Sequence, residues 1–103
     1  MTNETLHTLE TRRSCRAYQP QQITEEELAA VLRAGMYAPS AKNLQGARIV
    51  VVQDAAARAR LTRMNAAVMG SDGDPMYGAP TILLVVADAH NPNAVADGSL
   101  VMG

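Results

Sequence analysis

Apolar residues recur along this chain at helical spacing in some stretches and in unbroken β-branched runs in others. Leu6 and Leu9 stand three apart behind Thr2 and Asn3, either of which can cap a helix, so a short helix is expected to end near Thr11. The strongest local signal is Ile23-Thr24-Glu25-Glu26-Glu27-Leu28. Thr24 and Glu27 are spaced as a capping box, each side chain placed to satisfy the other's unpaired backbone N–H, and Ile23 and Leu28 are placed as its hydrophobic staple. The three glutamates also lie at the positive end of the helix dipole. Leu28, Val31, Leu32, Gly35 and Met36 then repeat at helical spacing, predicting one buried stripe. Gly35 costs about 1 kcal/mol against Ala in a helix, which a close-packed neighbour would explain. The helix should stop at Tyr37-Ala38, because Pro39 pushes the residue before it out of helical space.

Arg48-Ile49-Val50-Val51-Val52-Gln53 is too short for a helix and reads as a central strand buried on both faces. Asp54 can cap a third helix from Ala55 to about Met69, with Leu61, Met64 and Val68 inward and Arg58, Arg60 and Arg63 largely outward. Residues 70–75 form a loop. Its Asp72 and Asp74 lack the further oxygen ligands and closing Glu of a calcium loop. Thr81–Ala87 is a second buried strand, and Asn93 to Gly103 begins another helix. Strand, helix and strand in this order suggest a layered arrangement, with parallel or antiparallel pairing left open. No Gly-x-Gly-x-x-Gly follows either strand, so a Rossmann dinucleotide site is unsupported.

Composition narrows the classes. The 103 residues suffice for one domain. Nearly half are apolar, but Phe and Trp are absent, so burial must come from many small side chains. A net charge of −1 argues against a general nucleic-acid or membrane binder. All nine Lys and Arg lie at or before Arg63, against six carboxylates there, whereas the last forty residues carry four carboxylates and no Lys or Arg. Cys15, the single cysteine, excludes an internal disulfide and reads as a small buried filler. No stretch approaches the roughly 20 apolar residues of a membrane span, and the N-terminus lacks a signal-peptide pattern, so a cytoplasmic location is expected.

The candidate chemistry sits in Arg12-Arg13-Ser14-Cys15-Arg16. Guanidinium groups match phosphate oxygens two at a time and keep their charge at ordinary pH. Three of them with Ser14 could hold a phosphorylated ligand, although on composition alone a solvated basic turn is the simpler reading. A second stretch, Ala38-Pro39-Ser40-Ala41-Lys42-Asn43-Leu44-Gln45, changes that balance. Together the two stretches resemble the nitroreductase family, whose members carry Arg-Arg-Ser-x-Arg after a first helix and Ala-Pro-Ser-x-x-Asn-x-Gln at the end of a second. Tyr77-Gly78-Ala79-Pro80 and Asp97-Gly98-Ser99-Leu100-Val101-Met102 agree more loosely. The resemblance runs from about Leu6 to the last residue and covers the front half of the family's domain.

The resemblance implies an α+β, three-layer α/β/α fold. Residues 1–103 would be a single domain, truncated at the central helix and containing at least two buried strands. It implies a homodimer with non-covalent FMN at the interface. NAD(P)H reduces the flavin, and a small acceptor such as a nitroaromatic, quinone or enone then takes the electrons. Carried over by position, Arg12 would pair with the flavin phosphate, with Arg13 and Ser14 supporting the ribityl–phosphate end. Arg16 would lie near the pyrimidine edge of the ring. Pro39, Ser40 and Asn43 would contact the flavin bound mainly by the other subunit. No residue is assigned as catalytic and none as a metal ligand. The family often follows its asparagine with Gln-Pro-Trp, where this chain has Gln45-Gly46-Ala47. Further phosphate-binding residues belong to the family's second half. The alternative is a non-enzymatic truncated or split module that associates with another chain.

Overall fold

The computed structural model describes residues 1–103. Its elements are α1 (Glu4–Thr11), α2 (Glu25–Met36), a short 3-10 turn (Ala41–Asn43), β1 (Ala47–Val52), α3 (Ala55–Met69), β2 (Ile82–Ala87) and α4 (Ala94–Met102). The architecture is α+β, with four helices and one two-stranded sheet. No helix is long and apolar enough to cross a membrane.

Local chemistry starts and stops the helices where the sequence places the signals. Asn3 accepts the Leu6 N–H at 2.9 Å and caps α1. Thr24 Oγ1 accepts the Glu27 N–H at 3.1 Å and caps α2, while Asp54 accepts the Ala57 N–H at 2.9 Å and caps α3. One bond differs from the expected capping box: the Glu27 carboxylate takes the Thr24 hydroxyl proton at 2.8 Å, not the Thr24 backbone N–H. At the other end of α3, Gly70 adopts a left-handed φ of 66°, and the Ser71 N–H closes back on the Ala66 carbonyl at 2.9 Å. Glycine adopts that turn without a Cβ penalty.

β1 and β2 pair antiparallel, with Ala47 opposite Ala87 and Val52 opposite Ile82. Helix α4 packs on both strands and α2 packs on α4. Gly35 sits at this crossing. A Cβ there would lie 2.8 Å from Ile49 Cδ1 of β1 and 3.5 Å from Val101 Cγ1 of α4, so the glycine permits the close approach its helix position suggested.

Several sequence expectations need correction, among them the α2 stripe, where Val31 is 48% exposed and Met36 75%. Neither strand is buried on both faces: Val50 is 44% exposed and Val86 49%, and Ile82 is the one buried residue of the sheet. The reason is coverage, since the helix laid on both strands is α4. On α3 the side facing the rest of the fold carries Ala66, buried, with Ala57, Leu61 and Thr62 half-buried, while Met64 and Val68 are exposed. Arg58 is half-buried rather than outward, because its guanidinium donates to the carbonyls of Gln53 and Ala79 at 3.1 and 3.3 Å. Cys15 is exposed, not a buried filler, on a segment with no element packed over it; its thiol donates to the Ala17 carbonyl at 3.1 Å.

Two substitutions test this framework. Thr24→Ala removes the α2 cap and is expected to destabilise by about 0.5–2 kcal/mol in chemical denaturation. Gly35→Val forces a branched side chain into the α2–β1–α4 contact and should cost about 1–3 kcal/mol. A Gly35→Val chain as stable as the parent would remove the crossing as a packing constraint.

Candidate functional site

The basic stretch lies in the irregular segment between α1 and α2, and every residue from Arg12 to Gln22 is exposed. It is irregular because α1 ends at Thr11 and Pro20 pushes Gln19 before it out of helical space. Arg13 Nη1 is engaged by the carbonyls of Thr11 and Arg12, both at 3.1 Å. The guanidinium groups of Arg12 and Arg16 are exposed and available to an anion. Tyr18 closes the turn by donating to the Cys15 carbonyl at 3.1 Å. The segment is anchored at its far end, where Gln22 Nε2 donates to the Pro80 carbonyl at 2.9 Å and Gln22 Oε1 accepts from the Thr81 hydroxyl. The basic stretch is thus tied to the chain just ahead of β2.

The second stretch builds a tight loop between α2 and β1. Lys42, Asn43 and Gln45 all have left-handed φ values, 54°, 55° and 51°. Non-glycine residues pay roughly 1–2 kcal/mol each for that region, so the loop needs external restraint. Inside the loop, the Ser40 hydroxyl accepts the Gln45 N–H at 2.9 Å, and the Asn43 N–H donates to the Ser40 carbonyl at 3.0 Å. The restraint from elsewhere in the chain is Asp97 of α4, only 2% exposed, whose Oδ1 accepts the Ala41 N–H at 3.0 Å. Its Oδ2 accepts from Asn91 Nδ2 at 3.2 Å.

Beside this loop opens a cleft of about 480 Å³, between α2, β1 and α4. Pro39, Ser40, Gln45, Arg48 and Asp97 supply its polar and loop-derived wall, and Gly35, Ile49 and Val101 its apolar floor. Pro39 and Ser40 therefore line it, whereas Asn43 and the whole Arg12–Arg16 stretch do not. Asp74, weighed above as a metal ligand, is committed to its own turn, accepting the Met76 and Gly78 N–H groups at 2.8 and 2.7 Å.

Sequence reasoning missed the role of Asp97. It stands in an otherwise apolar run, Ala94-Val95-Ala96-Asp97-Gly98, where a lone carboxylate is a signal for a buried polar contact. Its partners, 56 and six residues away, could not be named from spacing.

Comparison with known proteins bears on what these surfaces serve. The sequence model of the Nitroreductase family matches residues 9–71, a span containing both stretches. A protein of Archaeoglobus fulgidus, provisionally described as an NADH dehydrogenase/NAD(P)H nitroreductase, is 38% identical over 85 residues, covering 82% of this chain and 46% of that protein. A nitroreductase from Bacteroides fragilis with bound FMN superimposes with a TM-score of 0.83 at 31% identity, over 97% of this chain and 60% of that one. An FMN-bound nitroreductase from Desulfitobacterium hafniense gives 0.85 at 27% identity, over 99% of this chain and 62% of its own. The chain thus spans less than half the length of the archaeal relative and about three fifths of each solved structure.

The left-handed loop makes a stability prediction. Lys42→Gly should stabilise the protein by about 1 kcal/mol, since glycine enters that region without strain. An unchanged or lower denaturation midpoint would show that the lysine conformation is not strained.

Proposed function

The chain belongs to the nitroreductase family, and from that premise we propose that it serves an FMN-dependent oxidoreductase passing electrons from NAD(P)H to a small acceptor such as a nitroaromatic, quinone or enone. Residues 1–103 act in this reading as one nitroreductase-like domain. The observation that carries it is the donor set of the exposed basic segment, inside a family match and in a fold shared with FMN-bound relatives.

The residues present fit the group chemically. Arg12 and Arg16 present exposed, permanently charged forks, and Ser14 adds a hydroxyl within the same segment, a combination suited to a phosphate monoester. When bound, FMN supplies the electron-transfer chemistry, and the protein positions and tunes it. Arg12 binds the phosphate, with Arg13 and Ser14 orienting the chain that leads from it. Arg16 places a fixed cation at the pyrimidine edge, where negative charge is best stabilised by a preorganised group. Pro39, Ser40 and Asn43 face the flavin of a second copy. Pro39 and Ser40 line the cleft and the basic stretch does not, which fits a dimer in which each of them addresses a different flavin.

A second reading, a non-enzymatic module that pairs with another chain, is favoured by one observation. Large apolar side chains are widely exposed, Val68 at 87% and Met36 at 75% among them, and the only buried residues are Ala66, Ile82 and Asp97. The visible spectrum of the purified protein separates the two. A bound-flavin absorption band supports the enzyme, and a colourless protein that captures no added FMN supports the module.

Arg12→Ala should weaken FMN binding about ten- to a hundredfold in a fluorescence titration, the loss of one charge-assisted contact. Unchanged affinity would take Arg12 out of the site.

A further inference from the structure

We propose that Asp97 is the positioning residue of the flavin-facing loop, holding Ser40–Gln45 in its left-handed conformation through the Ala41 N–H. This rests on the reading that Pro39, Ser40 and Asn43 face the flavin.

The loop is locally unfavourable, with three non-glycine residues at positive φ within four positions. Its internal bonds join neighbours only, Gln45 to Ser40, Asn43 to Ser40 and Leu44 to Ala41. Such bonds close the turn but do not orient it against the rest of the protein. Asp97 does, because it stands on α4, the helix packed on both strands. The carboxylate is nearly inaccessible and has one oxygen for each of two donors, Ala41 and Asn91. Asn91 cannot rotate its amide to compensate for a change at Asp97. Its Oδ1 already accepts the Asn93 N–H at 2.9 Å, at the entry to α4. Loop, 88–93 turn and helix therefore meet at one carboxylate. A site geometry built on a strained loop is maintained only where the surroundings over-determine it.

Alanine at position 97 removes both acceptor oxygens, so the Ala41 and Asn91 contacts are both lost. Truncating Asn91, by contrast, leaves the Asp97–Ala41 bond in place. A purely structural role would lower stability and flavin affinity together in both variants. A positioning role separates them.

The experiment uses the full chain. First, amide hydrogen exchange of the parent should protect the Ala41 N–H at least about tenfold over the neighbouring Lys42 N–H, measured without flavin. Equal exchange at the two amides would overturn the proposal whether or not any variant folds. Second, Asp97→Ala should shift the backbone resonances of 40–45 and weaken FMN binding by about tenfold or more. Asn91→Ala should lower the thermal midpoint yet keep FMN affinity within about threefold. A folded Asp97→Ala chain with parental loop resonances, or an equal loss of affinity in both variants, would overturn the assignment. If the parent captures no FMN, the flavin reading fails, and the exchange and resonance measurements still decide whether Asp97 sets the loop.

Discussion

The antiparallel pairing of Ala47–Val52 with Ile82–Ala87 is the contact on which the other elements depend, because it joins segments separated by the whole of α3 and its loops. A lone two-stranded ribbon is marginal in water, so the pair must be backed by a helix to persist. α4 provides that backing, and α2 reaches the sheet at Gly35, where the absent side chain lets Ile49 and Val101 close in. The cleft beside the 38–45 loop exists because these three elements meet at an angle around that glycine and leave Arg48 and Asp97 at its wall.

Polar bonds have unusual weight in this arrangement. With Ala66 and Ile82 as the buried apolar residues, hydrophobic burial within these residues is modest, and the mean apolar side chain keeps much of its contact with water. Several long-range ties are instead hydrogen bonds: Gln22 to Pro80 and Thr81, Arg58 to Ala79, and Asp97 to Ala41. Arg58 and Asp97 each fix an irregular segment to a helix, and Gln22 joins two irregular segments. Gln22 fixes the basic stretch, and Asp97 fixes the left-handed loop. The two candidate contact surfaces are thus held by separate anchors, which suits parts that meet a ligand from different sides.

The exposed apolar surface bears on the functional readings. Val68 and Met69 of α3 and Val95 and Met102 of α4 are all exposed. Exposed apolar side chains in this number favour association.

Local signals in the sequence determined the helices. Asn3, Thr24 and Asp54 cap where their spacing places them, Pro39 ends α2 on time, and α3 runs from Ala55 to Met69 as expected, because caps and breakers act within one turn. The Arg12–Arg16 and Ala38–Gln45 motifs were likewise legible, since their chemistry lies in contiguous residue types. Tertiary structure decided what periodicity cannot encode. An apolar run such as Ile49–Val52 says that a strand is favourable but not which neighbour covers it, so its exposure and its antiparallel partner came only with the fold. The inward face of α3 fell on Ala66 rather than Met64 and Val68, because burial depends on what stands opposite. Asp97 could not be linked to Ala41 from sequence, for the same reason: a hydrogen bond across 56 residues is set by the packing of α4 on the sheet, and no local pattern records it.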